Sequence, residues 1–236
     1  MEWVLGNIKF NELRTYDDLG FTIADIQIGF PAPITKLEKI PFSNTFLDFS
    51  STNGVLEYST RQISITFKLD KYITNTSSLN SIYFNLINSL TSIDFKKLEI
   101  DFLDGYFLAR LENYSDFNLM QEESLIEVTF LCMPFRQLEK NVGEEEWDTF
   151  VFATDVLQET EYIVNKYKNI TLHNQSVALE TVTIIADSEF KIVYNNVEYS
   201  IKNGINKEVF KLNVGINNLN VQGTGIIKFE FYKEVI

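Results

Sequence analysis

The chain has 236 residues, 45% apolar and 22% charged, enough to build one large core or two modest ones and too apolar for wholesale disorder. Its formal net charge of −13 is spread along the length: residues 1–140 carry 12 basic and 19 acidic groups (−7), residues 141–236 carry 8 and 14 (−6). Neither half offers a basic stripe for gripping phosphates, which argues against nucleic acid as a bound partner and leaves it admissible as a passenger sliding over a repelling wall.

Cys132 is the only cysteine, so the fold cannot rest on an intrachain disulfide. The opening MEWVLGNIKFNELR lacks a basic start followed by an apolar run, and no signal peptide is expected. No apolar run approaches the roughly 18 residues of a membrane span, so no membrane partner is expected. Sequons at Asn75, Asn113, Asn169 and Asn174 read as chance in an Asn-rich chain. Twenty Phe and eleven Tyr beside ten Gly and four Pro favour a mainly β protein.

In chain order, Phe21–Phe30 reads as a strand running into Pro31. The next segment, about residues 36–58, reads as a projecting hairpin arm. Asn53-Gly54 is a turn signal within it, and Thr45-Phe-Leu-Asp-Phe49 is apolar without helical spacing. Such a segment finds its cover on another subunit, with Pro41, Phe42, Phe46, Leu47, Phe49 and Tyr58 as the expected interface residues. Ile63, Ile65, Phe67 and Leu69 then alternate with Ser64, Thr66 and Lys68, the period of a strand.

One helix is expected at about residues 77–92. Leu79, Ile82, Tyr83, Leu86, Ile87 and Leu90 make one apolar stripe, and Thr76, Ser77 or Ser78 can cap it. A hairpin follows, turning at Asp104-Gly105, and Leu125–Met133 is a strand that Pro134 is expected to stop. The acidic run over residues 139–148 reads as a linker between a domain at 1–138 and a second at 149–236. The second reads as all β: Thr181–Ile185, Phe190–Tyr194, a tight Asn195-Asn196 turn into Val197–Ile201, then Glu208–Leu212, Asn218–Val221 and Ile226–Tyr232. Gly223-Thr-Gly225 reads as a tight turn before the last strand. Short strands at this spacing point to a β-sandwich.

No catalytic, cofactor or metal site is expected. His173, the only histidine, has no nucleophile or orienting partner in any motif, and Cys132 sits on an alternating strand as a buried thiol. Asp17, Asp18, Asp187 and Glu189 lack the spacing of a calcium loop, and Glu144–Glu146 read as solvated linker. Trp147, Tyr162, Tyr167, Tyr194 and Tyr199 keep a carbohydrate-binding adhesin open as the alternative, should any of them share an exposed face.

Several segments together resemble the distal tail protein (Dit) family of long-tailed bacteriophages. They are Pro31-Ala-Pro33, Lys39-Ile-Pro41 through Leu47-Asp48, Gly54…Tyr58…Arg61, Tyr106–Arg110 and Val128–Phe135. Phe210–Asn220 with Gly223, Gly225 and Ile227–Phe231 is similar to the ending of that family's galectin-like domain. Where the family often has glycines after the Ile-Pro of the arm, Phe42-Ser-Asn-Thr45 stands here. The resemblance implies a β-sandwich-type first domain with one helix and an arm that embraces its neighbour, and a galectin-like sandwich as a docking platform. It implies a ring of six in the virion, at the tail tip, synthesised in the host cytoplasm. The implied partners are the tail tube protein, the tail-tip fibre protein and baseplate or receptor-binding proteins, with DNA passing through. Asp17, Asp18, Asp94, Asp101 and Asp104 are candidates to line such a channel.

Overall fold

The computed structural model describes residues 6–51, 55–69, 76–116, 125–142 and 158–236. The chain divides into two compact units at Arg136/Gln137.

The first unit holds β1 (Ile8–Phe10), β2 (Leu13–Arg14), α1 (Thr15–Leu19), β3 (Phe21–Ile28), β4 (Leu37–Lys39), β5 (Phe46–Asp48), β6 (Arg61–Leu69), α2 (Thr76–Leu90), β7 (Lys96–Ile100) and β8 (Tyr106–Tyr114). It ends in β9 (Leu125–Asn141), which runs on into the second unit. One sheet runs in the order β2-β1-β7-β8-β9-β6-β3, and β4 and β5 form a separate two-stranded ribbon. The alternation read along β6 is realised: Ile63, Ile65 and Phe67 are fully buried, facing Phe130, Val128 and Ile126 across the β6–β9 ladder. The stripe of α2 packs on this core, where Tyr83 meets Phe21 edge-on at 5.2 Å. The side chains of Thr76, Ser77 and Ser78, the expected caps, lie outside the described part, as does the Asn53-Gly54 turn.

Two expectations change here. The five-residue helix α1 was not foreseen; its C-terminus is closed by Gly20 at φ 79°, whose N–H bonds Tyr16 O at 2.8 Å. Pro134 does not stop its strand. The last rung to β6 is Arg61–Cys132, so no ladder hydrogen bond to β6 is lost when a residue without an N–H stands two positions further on.

The second unit contains β10 (Glu161–Asn174), β11 (Glu180–Thr181), β12 (Thr183–Ala186), β13 (Phe190–Tyr194), β14 (Val197–Ile201), β15 (Gly204–Asn206), β16 (Lys211–Leu212), β17 (Gly215–Glu230) and β18 (Tyr232–Val235). Its main sheet runs β14-β13-β17-β12-β15, with β10 on the other edge of β17 and a small β11–β16 pair beside it. The Asn195-Asn196 turn has φ of 51° and 63°, both positive as a two-residue hairpin of the primed type requires. Residues 139–141, expected as linker, are the end of β9, and Val142 is buried in the second core; 143–148 lie outside the described residues.

Gly223 and Gly225 correct a further expectation. They do not turn the chain; they lie within β17 at φ 146° and 145°. The corner between β12 and β13 presses onto them. A Cβ on Gly223 would stand 2.4 Å from the Phe190 ring, and one on Gly225 would stand 2.1 Å from Asp187 Oδ1. That close approach lets Asp187 Oδ1 accept the Ile226 N–H at 2.8 Å and Ser188 Oγ donate to Thr224 O at 2.7 Å.

Candidate assembly surface

The arm grows out of the β3–β6 ladder. Past the rung Ile28–Ile63, pairing continues through Gly29 N–H to Gln62 O, Ser59 N–H to Ala32 O and Ile34 N–H to Glu57 O, then passes to the β4–β5 ribbon. Arg61 clamps this root. Its Nε donates to Gly29 O at 2.7 Å, a terminal nitrogen donates to Pro134 O at 3.2 Å, and the guanidinium lies over the Phe30 and Phe107 rings. Burial lowers its pKa, yet from so high a starting value that the group stays charged. Lys36 and Glu57 form an ion pair at 3.0 Å across the root. The Ser50 hydroxyl and N–H bond the Asp48 carboxylate and hold it below its usual range.

Beyond the root the ribbon has no core of its own. From Ala32 to Phe49 every residue is exposed except Ile40 and Ser43, which are half-buried. Phe46 is 57% exposed, Leu47 50% and Phe49 43%, while Phe42 is completely exposed. A two-stranded hairpin in water is marginal alone, and this one leaves its aromatic side chains uncovered.

Register divides the expected interface residues. Lys39 faces Phe46 and Leu37 faces Asp48, so Phe46 shares one side with Leu37; Glu38 faces Leu47, which puts Leu47 on the opposite side. Phe49, two residues on from Leu47, shares that second side. Pro41 and Phe42 occupy the tip. The Ser43 N–H returns to Ile40 O at 3.2 Å with Phe42 at φ 60°, the arrangement of a type II turn with Pro in second place. The third place of that turn favours glycine, and holding a bulky residue there costs about 1–2 kcal/mol. Tyr58 is different: it is half-buried at the root, bridged to Pro33, its ring edge-on to Phe135 at 5.3 Å.

The residues weighed for chemistry do not converge. Cys132 is buried, its thiol pushed up to about 12 by desolvation, which makes it inert near neutrality. His173 lies on β10, where its backbone exchanges two hydrogen bonds with the Gln158 side chain. Among the described residues, no group of three His, Cys, Asp or Glu side chains could hold a metal ion. Asp17, Asp18 and Asp101 serve the local fold: Asp17 accepts from Asn7 Nδ2 at 3.2 Å, Asp18 from Arg14 N–H and Asp101 from Asn7 N–H, both at 2.8 Å. Of the aromatics considered for sugar stacking, Tyr194 is buried, Tyr199 packs on Phe210 and Tyr162 on Phe229. Trp147 lies outside the described residues. Among the described members of that set Tyr167 alone is exposed, its hydroxyl on Asn169 and Asn220.

No known family profile matches the sequence. No curated protein matches it either. Solved structures do. The Dit (gp 19.1) protein of phage SPP1, described as a paradigm of the hub adsorption apparatus in phages infecting Gram-positive bacteria, superposes over 98% of this chain and 99% of its own, with a TM-score of 0.66 at 10% identity. The fold is that of a Dit protein. Chains of the phage P2 baseplate in its activated conformation also align, with calcium (TM-score 0.42, 7% identity, 94% of this chain and 93% of that one) and with strontium (0.41, 9%, 98% and 98%). The two chains share this fold with only 10% of their residues identical.

Proposed function

We propose that the chain is a structural hub at the distal end of a phage tail, closing into a ring of six that joins the tail tube to the baseplate or tip fibre. The observation that carries this reading is the arm: a ribbon with no buried residue from Ala32 to Phe49, on a Dit fold. An arm that fits a different patch on its neighbour makes a heterologous contact, which either closes into a ring or runs on as a filament. The first unit supplies the ring and the arm; the second serves as a platform for fibre, baseplate or receptor-binding proteins. DNA passes through as a passenger, for which a charge of −7 over the first 140 residues suits a repelling wall. The hub acts by holding geometry rather than by catalysis, in keeping with an inert Cys132.

Native mass spectrometry of the full chain at micromolar concentration tests this. The expected species contains six copies of the 27.4 kDa chain. A strict monomer, with no ring in tail particles, contradicts the hub. The adhesin alternative draws on one feature, the exposed Tyr167 among Asn169, Asn220 and the Thr171–Asn218 pair, a stacking ring with amides around it. Specific retention on a glycan array, lost in Tyr167→Ala, would favour that reading.

A further inference from the structure

The first unit carries a second apolar feature at its other end. Tyr83, Phe84 and Ile87 of α2 and Tyr114 and Ile126 of β8 and β9 wall an open cleft of about 370 Å³, with Asp116 on its rim. Phe84 and Tyr114 are exposed, so the cleft presents aromatic surface to its surroundings. We propose that this cleft is the socket for the arm tip of a second copy, with Phe42 as the inserted side chain. The proposal rests on the ring reading above and names the patch on which it depends.

Three observations select this occupant. The first is position. Ile126 pairs with Phe67 near the end of β6, and Tyr83 packs on Phe21, the first residue of β3. The arm leaves from the far end of the same ladder, beyond Ile28–Ile63, seven residues away along β3 from Phe21–Leu69. At about 3.3 Å per residue the two ends stand roughly 23 Å apart. The arm extends away from its own cleft, so a tip in a cleft joins two copies, head to tail, the contact a closed ring requires.

The second is shape. A side chain held at positive φ and wholly outside the fold is strained without return in the isolated chain; insertion into an aromatic-walled cleft supplies the return. The third is charge. Lys39, on the ribbon one rung from the tip, is exposed, and Asp116 is exposed at the rim of the cleft. In a chain of net charge −13 a basic residue beside the plug and an acidic one beside the socket orient the approach.

The test uses disulfide trapping between two singly substituted full-length chains, Phe42→Cys and Phe84→Cys, mixed and mildly oxidised. Buried Cys132 supplies a quiet background. A cross-link can then form only between copies. The expected result is a covalent dimer from the mixture and none when Phe42→Cys is mixed with Ile163→Cys, an exposed position of the second unit. If the mixture assembles by native mass but gives no 42–84 link, the socket is wrong and the ring reading stands. If neither mixture nor parent assembles, the hub reading fails and takes the socket with it. Phe84→Glu, which alters an exposed side chain, gives the independent check: at least a tenfold weaker assembly with unchanged melting is expected, and undiminished assembly overturns the socket.

Discussion

Two antiparallel ribbons among the described residues, one long and one short, meet opposite fates. In the second unit β10 and β17 pair from Glu161–Lys228 to Asn174–Gly215, and alternate residues on one side, among them Val164, Ile170, Leu172, Leu219, Val221 and Ile227, are buried. In the arm, β4 and β5 pair from Leu37–Asp48 to Lys39–Phe46 and bury nothing. Holding either ribbon in one backbone conformation costs about 1–2 kcal/mol per residue. The first ribbon offsets that cost with its own apolar burial, at roughly 25 cal/mol per Å². The second lacks the means within one chain. The difference teaches where to look for a partner: on the proposed hub reading, another molecule completes the surface that the arm leaves uncovered.

The comparison breaks most visibly by truncation. Leu172→Ala opens a cavity beneath β10 and should cost about 2–5 kcal/mol in urea unfolding of the second unit. Phe46→Ala with Phe49→Ala takes one anchor from each side of the arm. It should leave unfolding within about 0.5 kcal/mol of the parent, as for surface positions, while weakening assembly by about 2 kcal/mol per anchor in a dilution series followed by native mass. Should the double variant unfold instead, the arm belongs to a core and the contrast is lost.

A smaller effect sharpens the comparison through pH. In the second unit, burial and then the neighbouring Glu234 raise the Glu180 carboxyl from 4.5 to about 8. The folded state therefore favours its protonated form. Stability from this group is fully present below the unfolded value and is lost as pH rises through about 8. The melting temperature of the second unit should fall between pH 6 and pH 9, and Glu180→Gln should flatten that slope. At the arm root the sign reverses: the Asp48 carboxylate held low by Ser50 stabilises above the unfolded value and is lost as acid takes pH down through the folded one.

Much of this was legible in the sequence, and the failures have physical causes. β6 and α2 were visible because each has one buried face and a clean period. The Asn195-Asn196 turn was visible because few residues tolerate consecutive positive φ. β10 was not foreseen: apolar Ile163 stands on its exposed side, and Lys166, at φ 67°, interrupts the alternation between Val164 and Ile170. Gly223 and Gly225 misled because a glycine needed for close approach looks, in sequence, like one needed for a turn. Pro134 misled because whether a missing N–H matters depends on where the neighbouring strand ends. For the arm, the segment and its aromatics were readable, but their division between two sides follows from register, which only pairing reveals. Nothing in the residue string marked Phe42 as a strained tip except its standing where glycines are common in the Dit family.

The account turns on the claim that a second copy, and not the chain itself, completes the arm. Hydrogen–deuterium exchange across a concentration series measures this directly, reading the amides of residues 36–49 against those of β10 and β17. The account predicts that the ribbon of the second unit stays equally protected throughout, while the arm exchanges rapidly in dilute monomer and becomes protected in step with assembly. Arm amides that are already as protected in the monomer as those of β10, and that do not change on assembly, would contradict it.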